Sequence, residues 1–120
     1  LIKSEIEEAV NNFNSSIKLN GLNYKVQRDF GKTLLKKNQL DSARLHLEKA
    51  VGLNYGDSDS HYYLALIMLK MKDIEEAEQH FLSALDIIMT KKVSSSQKLY
   101  KKIKIDFPEF IHPDLEKIID

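Results

Sequence analysis

At 120 residues, 42% hydrophobic and 30% charged, the chain is long enough to bury one core and close to the size of a single small domain. Its 18 basic and 18 acidic side chains cancel, so no global field draws it to nucleic acid or an anionic membrane, and any such binding has to be local. The absence of cysteine excludes disulfides, thiolate catalysis and cysteine metal sites but suits reducing and oxidising compartments alike, which leaves localisation open with the cytoplasm as default. No apolar run approaches the ~18 residues needed to span a bilayer, and no basic start followed by an apolar stretch marks a signal peptide. The chain opens on Leu1-Ile2-Lys3, inside a helical pattern and without an initiator methionine, and is expected to be a piece of a longer protein.

Four glycines and two prolines, placed between or at the ends of periodic segments apart from Gly31, predict helices throughout. Ile2, Ile6, Ala9, Val10, Phe13 and Ile17 recur at three- and four-residue steps along a first helix that Asn20-Gly21 ends. A second runs from about Tyr24 to Lys37, with Val26, Phe30, Gly31 and Leu34 inward, and turns at Asn38-Gln39. A third carries Ala43, Leu47, Ala50 and Val51 and stops where Gly52 to Gly56 supply breakers. Oxygens of Asp57-Ser58-Asp59-Ser60 cap a fourth, which reaches about Met71. After the turn at Lys72-Asp73, a fifth helix spans Ile74 to about Thr90, with Ala77, Phe81, Ala84, Leu85 and Ile88 on one face. Val93 to about Ile105 forms a sixth, preceded by the Ser94-Ser95-Ser96 turn or cap. Pro108 and Pro113 oppose a full seventh helix, since an interior proline costs about 3 kcal/mol, but Pro113 suits the first turn of a short one over Asp114 to Ile119. Such short connections make consecutive helices antiparallel.

These elements repeat every 34 residues. Ile6, Leu40 and Ile74 are in step, as are Ala9, Ala43 and Ala77, Phe13, Leu47 and Phe81, and Ile17, Val51 and Leu85. A period in this range indicates units that bury their apolar faces by stacking on neighbours. Small residues at Gly31 and Ala65, and at Ala43 and Ala77, let helix backbones approach, while Phe30, Leu64, Leu47 and Phe81 fill the space between.

With Tyr24 as the first position, the pattern of a large residue at 7, Gly or Ala at 8, Ala at 20 and 27, and a large residue at 24 resembles the tetratricopeptide repeat family. Gln27 and His61 stand where that family has tryptophan, and Tyr55 and Met89 where it has proline. The resemblance implies an all-α fold, a right-handed solenoid of antiparallel helix pairs. Residues 24–57 and 58–91 are then complete repeats, and 1–20 is the second helix of a truncated one. Residues 92–120 are a degenerate repeat, with Leu99 in place of the small residue, or C-terminal capping helices. The uncovered apolar face of Ile2, Ile6, Val10 and Phe13 makes self-association an additional expectation.

The resemblance places a concave groove along the first helix of each pair, mapping to Lys25, Arg28, Asp29, Lys32, Leu35 and Lys36, then to Asp59, Tyr62, Tyr63, Leu66, Leu69 and Lys70. Arg28 and Lys32, one helical turn apart, can pair a carboxylate, and Tyr62 and Tyr63 offer amphipathic area at little entropic cost. An acidic or aromatic-containing peptide suits such a groove. Taken singly, the lysines read equally well as a solvated face and the tyrosines as partial core. The carboxylate clamp of co-chaperone members is not expected, because Lys32 and Tyr63 stand where its asparagines belong.

The expected function is thus a non-catalytic scaffold for a peptide or partner protein. The alternative is a local contact to nucleic acid or anionic lipid through Lys91, Lys92, Lys98, Lys101, Lys102 and Lys104, although Asp106, Glu109, Asp114 and Glu116 follow directly. Steep salt dependence would distinguish that alternative. No cofactor or metal is expected: His46 and His80 share a repeat position with Glu48 and Glu78 nearby, but such positions lie ~8 to 10 Å apart, and no HExxH or glycine-rich phosphate loop occurs. Catalysis is not expected either, since no nucleophile has an adjacent base in sequence.

Overall fold

Several helix starts are set by side chains that take up free backbone N–H groups, and two of the stops by backbone bonds of a tight turn. The computed structural model describes residues 7–15 and 23–116, and these form seven helices and no strand. They are α1 (residues 7–15), α2 (Tyr24–Lys36), α3 (Leu40–Leu53), α4 (Ser58–Lys70), α5 (Ile74–Met89), α6 (Val93–Asp106) and α7 (Pro113–Glu116). Asn23, Asp57 and Asp73 cap α2, α4 and α5, accepting from the backbone N–H groups of Lys25, Ser60 and Glu76. His112 does the same for α7, its Nδ1 accepting from Asp114 at 3.3 Å and Leu115 at 3.4 Å.

α2 and α4 end alike. The N–H of Asn38 bonds the Leu35 carbonyl and that of Gln39 the Leu34 carbonyl, and Lys72 and Asp73 repeat this on Leu69 and Met68. Asn38 and Lys72 thus take the left-handed position of a Schellman motif, with φ of 60° and 66°. Each turn reverses the chain, so α2 packs on α3 and α4 on α5, while α3 meets α4, α5 meets α6, and α2 also touches α4. Gly31, Ala43, Ala65 and Ala77 are buried at the crossings, and Phe30, Leu47, Leu64 and Phe81 fill the layers beside them.

Several details depart from the sequence expectations. α3 stops at Leu53, inside the Gly52–Gly56 stretch, but Gly52 itself is still helical; the cost of one helical glycine, about 1 kcal/mol, is outweighed by burial of Ala50 two residues earlier and packing of Val51 on the core. Ser94 to Ser96 form the first turn of α6 and do not cap it, and the Ser96 hydroxyl donates back to the Val93 carbonyl. The buried residues of α6 are Ser96, Tyr100 and Ile103, so at the position held by Gly31 and Ala65 in α2 and α4 the buried residue is one later, Tyr100, and Leu99 is only partly buried. Tyr100 instead meets Phe110, and Phe107 and Phe110 pack on Phe81 with centroids 6.3 and 5.5 Å away. Its hydroxyl accepts from the N–H of His112 at 3.1 Å and donates to Glu116, which tethers α7 to α6. Val10 and Phe13 rest on the core, with Phe13 stacked on Phe30 at 4.7 Å. The expectations for Ile2, Ile6, Ile17 and Asn20-Gly21 fall outside the described residues. Among the described residues no helix is long and apolar enough to cross a membrane.

Candidate functional site

Antiparallel pairing sorts the helices into two sets, with α2 and α4 as the first members of their pairs and α3 and α5 as the second. Of the groove residues read from sequence, Lys25, Asp29, Lys36, Asp59 and Lys70 are exposed. Lys32, Tyr63, Leu66 and Leu69 are half-buried, the last three resting on the core. Leu35 and Tyr62 are buried, so they support the face from beneath and do not form open walls.

Arg28 is already committed. Its guanidinium reaches Asp29 at 3.2 Å and both carboxylate oxygens of Asp57 at 3.4 Å, so the residue that caps α4 also ties it to α2. It is not a free partner for a ligand carboxylate.

Two lysines lie over tyrosine rings. Lys32 Nζ of α2 is 5.4 Å from the Tyr63 centroid, and Lys102 Nζ of α6 is 4.9 Å from that of Tyr62. The two tyrosine rings are 5.5 Å apart, so Lys32, Tyr63, Tyr62 and Lys102 form one row across three helices. Among the described residues no Cα atoms of α4 and α6 approach within 8 Å, and Lys102 spans that gap by its side chain. Burial, with Asp106 adding to it, pushes the Tyr62 hydroxyl above the ordinary tyrosine range, so the phenol stays neutral. The lysine-rich segment is correspondingly less free than its sequence suggests, for Lys104 lies over Tyr100 at 5.3 Å and pairs with Glu116 at 3.4 Å.

A second arrangement was not read from the sequence. His46 and His80, taken there as stacked neighbours, each bond within their own helix pair: His46 Nδ1 donates to Gln27 Oε1 at 2.8 Å, and His80 Nδ1 lies 3.3 Å from His61 Nδ1. Both contacts join residues 19 apart, and their recurrence 34 residues later was the available signal. Gln27 and His61 are buried polar groups at the positions expected to hold tryptophan, and the histidines satisfy them. Burial holds both His46 and His80 below the ordinary imidazole range.

Comparison of the sequence with known proteins finds no matching family and no similar curated protein.

Proposed function

We propose that the chain is a non-catalytic protein-interaction scaffold, a right-handed solenoid of tetratricopeptide type, that binds an acidic peptide segment along the face of α2, α4 and α6. The observation that carries this reading is the separation of charge in a chain whose total is zero. Helices α2, α4 and α6 hold nine basic and three acidic side chains, whereas α3 and α5 hold two basic and six acidic. A face of one sign raises the local concentration of ligands of the other. The row of Lys32, Tyr63, Tyr62 and Lys102 adds aromatic surface to that charge, which favours a polypeptide with apolar side chains among its acids. The solenoid reading is supported by features that recur 34 residues apart: the left-handed turns at Asn38 and Lys72, and the polar pairs Gln27–His46 and His61–His80.

An immobilised library of acidic, neutral and basic peptides tests the proposal directly. Acidic sequences should be retained by the chain and lost with Tyr63→Ala combined with Lys32→Ala. Retention of neutral or basic sequences, or an acidic signal untouched by the double substitution, would overturn it. A duplex RNA and an anionic vesicle belong in the same experiment, because binding of either in preference to every peptide would transfer the role to the lysines of α6.

A further inference from the structure

The second helices carry a cavity that peptide binding along α2, α4 and α6 leaves unused. It holds about 290 Å³ between α3 and α5, with Leu64 and Met68 of α4 and Val51 of α3 as its apolar lining and Arg44, Glu48, Glu76 and His80 as polar groups, so two carboxylates face one resident cation. The hydrogen positions on the histidines follow from one backbone carbonyl. Tyr55 O can only accept, so His61 Nε2, 2.8 Å away, carries its hydrogen. With both rings neutral, His61 Nδ1 is then a lone pair, and its contact with His80 Nδ1 at 3.3 Å requires His80 to donate there. His80 Nε2 is left as an acceptor with no hydrogen.

The neighbouring carboxylates are of the same character. Arg44 Nε takes one oxygen of Glu48 at 2.7 Å and leaves the other, and the Glu76 carboxylate accepts from no side chain among the described residues, its backbone N–H alone being held by Asp73. α5, which supplies both Glu76 and His80, has four acidic residues and no lysine or arginine. The cavity therefore combines an apolar lining with several acceptors in a region of negative charge. Among the described residues no three histidine or carboxylate side chains converge as metal ligands.

We propose that this cavity receives an arginine side chain of a partner polypeptide, its stem against Leu64, Met68 and Val51 and its guanidinium donating to Glu76, Glu48 and His80 Nε2. Arginine suits it because a planar fork of five donors can reach several acceptors at once. Binding is also pH-dependent. The charged and titratable groups around His80 are Arg44 and Glu48 from α3, His61 from α4 and Glu76 on its own helix. Protonation turns His80 Nε2 into a donor and adds a positive charge, and the arginine is then repelled. The two sites share α4 but no residue, for the cavity lining includes none of Lys32, Tyr62, Tyr63 and Lys102, so the two readings stand or fall separately.

The test is a titration of the isotope-labelled 120-residue chain with acetyl-Gly-Arg-Gly-amide, followed by nuclear magnetic resonance, with acetyl-Gly-Gln-Gly-amide as the uncharged control. Saturable shifts are expected at the amides of Gly52 and Glu76 and at the His80 ring, and none with the control. Glu76→Gln should weaken binding about tenfold, because glutamine keeps an acceptor oxygen but removes the charge that assists the bond. Gly52→Leu should abolish it: nothing lies within 4 Å of where a Cβ would stand, so the new side chain fits the helix and fills the cavity. Lowering the solution from about pH 7.5 to about 5.5 should weaken binding to the unsubstituted chain. The absence of saturable shifts, equal binding of the glutamine peptide, or undiminished binding by Gly52→Leu would each overturn the proposal.

Discussion

Lys72 shows how much a single backbone angle matters here. Its φ of 66° lies in the left-handed region, where a β-carbon costs about 1–2 kcal/mol, yet the turn between α4 and α5 requires that geometry. Lys72→Gly should therefore raise stability by about 1 kcal/mol, seen as a higher urea midpoint at unchanged slope, and Asn38→Gly by less, because asparagine tolerates this conformation. Gly31 makes the opposite case. A β-carbon there would stand 2.5 Å from Leu47 Cγ and 3.2 Å from the backbone oxygen of Ala43, and Leu47 is fully buried. Gly31→Ala should cost about 1–3 kcal/mol by overpacking, even though alanine is the better helix former and Ala65 is accommodated 34 residues later. An unchanged or higher urea midpoint for this variant would mean that α2 and α3 can move apart without penalty.

At the scale of elements, the polar pairs make repeat packing sensitive to acid. His46 and His80 are held below the ordinary imidazole range, chiefly by burial, so the unfolded chain binds protons near pH ~6.5 that the folded chain does not. Stability is then full above that range and falls as the pH drops toward the lowered folded values. Urea midpoints measured across the range should show the decline, and His80→Gln should flatten it in part. α7 has its own dependence, for Tyr100→Phe removes the acceptor of the buried His112 N–H and should cost about 1–3 kcal/mol, with the near-ultraviolet signal of the Phe107–Phe110 region affected. Helix positions were legible in the sequence because apolar residues recur with the helical period, and the order α2 to α6 follows from it. Which side chains meet across two helices was not, since periodicity carries no information on their relative rotation. Gln27–His46, His61–His80 and Arg28–Asp57 all belong to that class. The one-residue shift in α6 has a different origin: the 34-residue register presumes a following partner helix, and Phe107 and Phe110 fill that space instead, opening room for Tyr100.

For the molecule as a whole, charge separation and aromatic contact should govern different steps of binding. On the proposed acidic-peptide binding, the lysines of α2 and α6 would act at a distance and at the rim and steer the peptide before contact, whereas half-buried Tyr63 would act only once it is seated. Reversing Lys32 and Lys102 together to glutamate should therefore slow association about tenfold at low ionic strength and leave dissociation nearly unchanged, with the difference vanishing as salt is raised. Tyr63→Ala should do the reverse, leaving association intact and speeding dissociation at every salt concentration. Stopped-flow measurement with a fluorescent acidic peptide separates the two rates. If the lysine reversals instead changed only dissociation, the cations would be acting as direct contacts at the tyrosine rings, and the separation of charge between the two helix sets would have no part in recognition.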